Sequence, residues 1–316
     1  MIEVVNLTKR YGNHLAVDNL SFSIEEGQIY GFLGPNGAGK STTMNIMTGY
    51  LAPSEGTVII NGHDILEDPD EARKSIGYLP EQPPLYMDMT VMEYLKFCAD
   101  LKKLPKDKKK EMIDEAIKIS RIDDVKNRLI KNLSKGYKQR VGLAQAILGL
   151  PPVIILDEPT VGLDPIQIIE IRDTIKELGK KHTVILSSHI LSEVSAICDH
   201  IMIISHGKLV ASDTPENLVT LMEGENILSL SVKGNKQDIE SVLKNFTDRI
   251  SYEISKDDEA DCIAVTITSD KAIDLREELF FAFAKANLPI YKMLPSNRSL
   301  EDVFIELTEN KNEEES

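Results

Sequence analysis

The chain has 316 residues, with 42% hydrophobic and 28% charged residues and a net charge of −15. That composition allows one large globular domain and one small one. The negative balance argues against a nucleic-acid groove and against binding anionic lipid by charge alone. No apolar run approaches the ~18 residues of a membrane-spanning helix. Cys98, Cys198 and Cys262 are too dispersed for a zinc site or a disulfide framework, and read as thiols of a reducing compartment.

Residues 1–33 read as short strands, with turns at Tyr11-Gly12-Asn13 and Glu25-Glu26-Gly27. The opening Met1–Leu7 reads as a strand, not as a signal peptide. The apolar run Ile29–Leu33 leads into Gly34-Pro35-Asn36-Gly37-Ala38-Gly39-Lys40-Ser41, a complete G-x-x-x-x-G-K-S phosphate loop. Residues 42–47 then read as a helix. In such a loop the glycines turn backbone N–H groups onto phosphate oxygens, and the helix directs its positive end there. Lys40 is placed to reach the β- and γ-phosphates, and the Ser41 hydroxyl to hold Mg²⁺. A dinucleotide fingerprint fails, because its third glycine would fall at Thr42.

Residues 55–62 predict a strand ending at the turn pair Asn61-Gly62. From about 88 to 150 the pattern is helical, with Val91, Tyr94, Leu95 and Cys98 on one buried face. The lysine-rich stretch Lys102–Lys110 reads as a solvated helix face or loop. Continuous apolar strands return at 153–156, 183–186 and 201–204, separated by helical segments, which predicts a buried parallel sheet. The first of these ends in Asp157-Glu158. Two adjacent acids after an apolar run need partners, and a metal ion and a reacting water would supply them. Asp157 is the candidate for holding Mg²⁺ and Glu158 for polarising the water.

These motifs, in this order, resemble the nucleotide-binding subunit of an ATP-binding-cassette (ABC) transporter. The resemblance implies an α/β P-loop fold over residues 1–223 with an inserted helical subdomain at about 83–140. It places Tyr11 where the family stacks an aromatic on adenine. Leu133-Ser134-Lys135-Gly136-Tyr137-Lys138-Gln139-Arg140 resembles the signature segment L-S-G-G-Q-x-Q-R, with Lys135 and Tyr137 in place of Gly and Gln. Ser134 and Gly136 remain as expected nucleotide contacts. Gly162-Leu163-Asp164-Pro165 resembles the D-loop, and Ser187-Ser188-His189 the switch whose histidine meets the γ-phosphate. After Tyr78-Leu79-Pro80, where the family has its metal-contacting glutamine, either Glu81 or Gln82 is placed to offer an oxygen to Mg²⁺.

The resemblance further implies a Mg²⁺-dependent ATPase that forms a head-to-tail homodimer with ATP sandwiched at the interface. It would work with a separate integral membrane permease docking on residues 83–133, and sit in the cytoplasm against the inner face of the membrane. The ending Ser299–Thr308 and the 133–137 segment look like a bacterial exporter group that includes multidrug, copper-maturation and gliding-motility ATPases. The competing reading is a soluble ABC ATPase acting on ribosomes or DNA. Such proteins usually carry two cassettes or a long coiled coil, and this chain has neither. Residues 225–308 read as a βαββαβ, ferredoxin-like α+β domain, which regulates the cassette, helps subunits pair, or is a passive stabilising addition. The tail 309–316 reads as a disordered acidic segment.

Overall fold

The computed structural model describes residues 1–221, 225–257, 259, 261–270, 274–296 and 304–305. The expected acidic tail, most of the 299–308 segment and the boundary at 223–224 lie outside these residues. The chain divides into a first unit built on Met1–Pro215 and a second spanning Glu216–Glu306.

In the first unit, β1 (Ile2–Tyr11), β2 (His14–Ile24), β3 (Ile29–Leu33), α1 (Lys40–Met47), β4 (Glu55–Ile60), β5 (His63–Asp64), α2 (Pro69–Lys74) and β6 (Ile76–Leu79) come first. They are followed by α3 (Val91–Leu101), α4 (Lys109–Ile119), α5 (Lys135–Ile147), β7 (Val153–Leu156), α6 (Pro165–Gly179), β8 (Thr183–Ser188), α7 (Leu191–Ser195), β9 (His200–Ser205) and β10 (Lys208–Asp213). The first two strands are ten and eleven residues long, not short. They join β4 and β5 in an antiparallel sheet ordered β2-β1-β4-β5. A second sheet runs β10-β9-β3-β8-β7-β6. Its pairs from β9 to β6 are parallel, and β10 closes one edge antiparallel.

One apolar core joins the two sheets. Val4, Leu20 and Ile60 of the first sheet and Phe32, Ile155 and Met202 of the second share it with Met44, Ile46 and Met47 of α1. One face of α1, from Thr43 through Met44, Ile46 and Met47, is thereby packed, and Lys40 ties its start to Gly34 at the end of β3. Between β6 and β7 the chain leaves the sheet to build α3 to α5. The start of α3 is set by a capping box: Glu93 N–H donates to Thr90 Oγ (3.3 Å) and Thr90 N–H to Glu93 Oε2 (2.8 Å). Its buried face carries the expected Val91, Tyr94, Leu95 and Cys98.

The lysine-rich stretch departs from expectation at its first residue. Lys102 Nζ turns inward and donates to Leu148 O (2.9 Å) and Ala146 O (3.3 Å) at the end of α5. Those carbonyls have no partner within their own helix end, and a cation there also meets the negative end of the helix dipole. Burial pushes the Lys102 ammonium pKa down to about 8.

After α8 (Pro215–Leu221), the second unit contains β11 (Glu225–Lys233), α9 (Lys236–Leu243), β12 (Ile250–Lys256), β13 (Cys262–Asp270), α10 (Arg276–Lys285) and β14 (Ile290–Ser296). Its antiparallel sheet is ordered β12-β13-β11-β14, the arrangement a ferredoxin-like βαββαβ chain gives. Leu230, Val232 and Val265 from the sheet pack with Ile239, Leu279 and Phe283 from the helices.

Candidate nucleotide-binding site

Four neighbouring parallel strands, β3, β8, β7 and β6, deliver their carboxyl ends to one edge of the sheet. That edge is where open α/β sheets place ligands. Gly34 follows β3, Asp157 and Glu158 follow β7, His189 follows β8, and Glu81 comes two residues after β6. The residues converge because each lies directly beyond a buried strand whose position in the sheet is fixed.

The phosphate loop wraps the start of α1. Gly39 caps that helix with φ of +103° and no side-chain hydrogen bond. A β-carbon at Gly39 would lie 2.5 Å from Ala16 O, so the position demands glycine twice over. The first N–H groups of α1 are therefore left without a side-chain acceptor, the arrangement that suits a phosphate. Lys40 is buried, with 6% exposure. Its Nζ donates to Gly34 O (2.8 Å) and Pro35 O (3.3 Å) and lies 3.6 Å from Glu158 Oε1. Burial lowers the Lys40 pKa, opposed by the negative charges of Glu158 and Asp157.

The acids are held in place from two sides. Ser41 Oγ donates to Asp157 Oδ1 at 3.3 Å, and Ser187 Oγ donates to the same oxygen at 2.5 Å. Ser187 Oγ also accepts the N–H of Glu158 at 2.9 Å. The Glu158 backbone adopts φ of +47°, a region a non-glycine residue rarely enters. Such a conformation persists where the surroundings enforce it, and it turns the carboxylate toward the cleft. Glu158 Oε2 meets His189 Nδ1 at 2.9 Å, so this carboxylate bridges Lys40 and His189.

A cleft of about 370 Å³ opens over this cluster. Its lining includes the expected Tyr11, Asn36, Gly37, Gly39, Lys40, Ser41, Thr42, Glu81, Glu158 and His189. His14, Ala16 and Val161 line it as well, without having been singled out in the sequence. Pro35 and Ala38 shape the loop behind it, with Ala38 N–H bonded to Pro35 O at 3.2 Å. Of the two residues after Pro80, Glu81 lines the cleft and Gln82 does not. Tyr11 is half exposed, and Lys9 Nζ lies 5.4 Å from its ring centre. A larger groove of about 1140 Å³, lined by α4 and the 174–182 region, holds none of these motif residues.

Ser134, Gly136 and Asp164 lie outside the cleft of their own chain. Ser134 caps α5 by accepting the Tyr137 N–H at 3.3 Å, and Asp164 caps α6 by accepting the Gln167 N–H at 2.9 Å. Gly136 abuts Gln167, and Lys135 abuts Gly162, so the starts of α5 and α6 pack side by side. The Arg140–Glu170 ion pair joins the two helices one turn further on.

The residues present suit Mg²⁺. Ser41 Oγ and Asp157 Oδ1 put two hard oxygen donors together below the phosphate loop. Among the described residues no group of three or more His, Cys, Asp or Glu converges as a metal cage. A cation here would take its remaining ligands from phosphate and water, which is how Mg²⁺ is commonly held.

Residues 17–161 match the family described as ABC transporter. The chain is 35% identical over 322 residues to the ABC transporter ATP-binding protein YhcH of Bacillus subtilis (strain 168), covering 99% of this chain and 98% of that one. It is 34% identical over 309 residues to the bacitracin transport ATP-binding protein BcrA of Bacillus licheniformis, with 97% of each chain covered. A solved dimeric ATP-binding cassette in a post-hydrolysis state, bound to ADP and Pi, superposes with a TM-score of 0.62 at 27% identity. That match covers 68% of this chain and 98% of the other.

Proposed function

This chain belongs to the ABC transporter family of ATP-binding proteins, and from that premise we propose that it hydrolyses ATP with Mg²⁺ to drive export through a separate membrane permease. The observation that carries the reading is the meeting of Lys40, Ser41, Glu158 and His189 at one cleft below the start of α1, with Asp157 hydrogen-bonded to Ser41 beside it. Each has the chemistry that phosphoryl transfer needs, in which positioning and charge stabilisation do most of the work.

The phosphate loop N–H groups and Lys40 hold the β- and γ-phosphates. Lys40 now leans on Glu158, and phosphate oxygens offer it a stronger partner, so binding would free the Glu158 carboxylate. Ser41 and Asp157 would hold the metal, with Glu81 at the rim of the same cleft. Bound Mg²⁺ would neutralise charge on the phosphate oxygens. Glu158 orients the attacking water and accepts its proton. His189 steadies Glu158 through Nδ1 and faces the cleft where the γ-phosphate would lie.

Ser134 and Asp164 are exposed, Gly136 is buried beside Gln167, and none of the three lines its own cleft, which supports an ATP sandwich completed by a second copy. In that arrangement the start of α5 from one copy and Lys40 from the other would share the γ-phosphate charge. Among the described residues no helix is long and apolar enough to cross a membrane. In this reading the transport path is supplied by another protein docking on the 83–133 segment, with the cassette at the cytoplasmic face. The transport role printed for the bacitracin relative supports a role in transport.

Affinity capture with Glu158→Gln and Mg-ATP from gently solubilised membranes of the native host tests the coupling. Recovery of a protein with several spanning helices is the expected result. Ribosomal or DNA-associated proteins without a membrane partner would instead favour a non-transport ATPase.

A further inference from the structure

One buried carboxylate takes no part in the reaction described above. Glu193 lies on α7, beyond His189 in the chain, and is 5% exposed. It does not line the cleft. Its Oε2 accepts the Thr160 hydroxyl at 2.5 Å and the Ser188 hydroxyl at 3.5 Å. Thr160 follows Glu158-Pro159 on the segment leaving β7, and Ser188 immediately precedes His189. Ser188 Oγ also accepts the N–H of Ile190 at 3.0 Å, so it holds the backbone on both sides of the histidine. The other oxygen, Oε1, faces Arg172 Nη2 of α6 at 3.9 Å. Arg172 Nε is buried and has no hydrogen-bond partner, so this guanidinium is directed at Glu193 without being anchored elsewhere through that nitrogen.

A desolvated carboxylate is costly unless it is partnered, and an apolar side chain would fill the same space at less cost. The cost is explained by what the carboxylate joins. Its two hydroxyl partners flank the two residues whose contact, His189 Nδ1 to Glu158 Oε2 at 2.9 Å, sets the hydrolytic geometry. We propose that Glu193 is a positioning residue of the hydrolytic site, locking the segments after β7 and β8 together so that His189 and Glu158 stay in register. This inference rests on the ATPase reading. It assigns Glu193 no contact with nucleotide, metal or water.

The test compares full-length wild type, Glu193→Ala, Glu193→Gln and Thr160→Val, each with and without His189→Ala. It measures kcat and KM for Mg-ATP together with thermal unfolding. Glu193→Ala is expected to lower kcat about 10- to 100-fold, with KM changed less than about threefold, because geometry and not ground-state binding is lost. Glu193→Gln, with its amide oxygen in the place of Oε2, keeps an acceptor for both the Thr160 and the Ser188 hydroxyls, and restores most of the rate. In the His189→Ala background Glu193→Ala has little further effect, since its influence passes through the histidine. Equal losses with and without His189 would overturn the inference, as would a rate loss that matches the loss of folded protein. Should Glu193→Ala not fold at the assay temperature, Thr160→Val leaves the carboxylate in place and must show the same dependence on His189. A wild type without turnover would overturn the ATPase reading and this inference with it. An active wild type with additive losses would overturn this inference alone.

Discussion

Lys40 holds a cation at 6% exposure, and two carbonyls and Glu158 only partly offset what burial costs it. Burial therefore lowers its pKa in the free chain, and a bound polyphosphate would raise it again. Nucleotide binding is then linked to proton uptake as alkaline pH is approached, so affinity should fall as pH rises. Titration calorimetry should show that fall for wild type. In Lys40→Met it should be absent, with affinity lower by about tenfold or more at neutral pH, the loss expected for a charge-assisted bond. The grouping of Lys40, Ser41, Asp157, Glu158 and His189 was legible in the sequence because Lys40 and Ser41 close a complete phosphate-loop motif and the others directly follow apolar runs that read as buried strands. Ser187 was visible only as part of a motif, and Glu193 was not visible at all. Their partners lie about thirty residues away, and no local spacing encodes such contacts. The choice between Glu81 and Gln82 also needed the third dimension, since both fit the motif and Glu81 alone of the two lines the cleft.

At the scale of elements, α5 links the helical insertion to the rest of the first unit. Its start packs beside α6 through Gly136 and Gln167, and its end receives Lys102 from α3. Lys102 was hidden in the sequence by its neighbours, since a lysine-rich run reads as a solvated face. Only the α5 carbonyls left without partners explain why one of these lysines turns inward. Its folded pKa of about 8 lies below the ordinary lysine value of 10.5 expected for the unfolded chain. Between those two values the unfolded chain binds more protons, so the Lys102 contribution to stability must rise with pH across that window. Below the window the cost of the buried charge is fully present. Denaturant titrations of wild type and Lys102→Met from pH 7.5 to 10.5 should show the difference moving in favour of wild type. A shift of about 1–2 kcal/mol is expected, less than the full pKa difference because the group is partly solvated.

For the whole molecule, the strand and helix order of the second unit and the apolar strands at 153–156, 183–186 and 201–204 of the first were legible from alternation and apolar runs, whereas β5, α2, β6 and β10 were not singled out. The arrangement of the sheets was less legible. Nothing local says that β3 lies between β9 and β8, or that two sheets share the core around α1. The positions of Ser134, Gly136 and Asp164 away from their own cleft carry a prediction about assembly. Light scattering should find Glu158→Gln dimeric with Mg-ATP and monomeric without nucleotide, and Ser134→Arg should abolish the dimer without weakening ATP binding to the single chain. Glu158 is the group through which this cleft is proposed to hydrolyse ATP. Phosphate release and ATP occupancy, measured side by side for purified wild type and Glu158→Gln, address that role most directly. Wild type should turn over with magnesium, and the variant should be fully occupied by ATP but about 10²- to 10⁴-fold slower, the usual scale for losing a general base. Equal turnover by the two proteins would contradict that role.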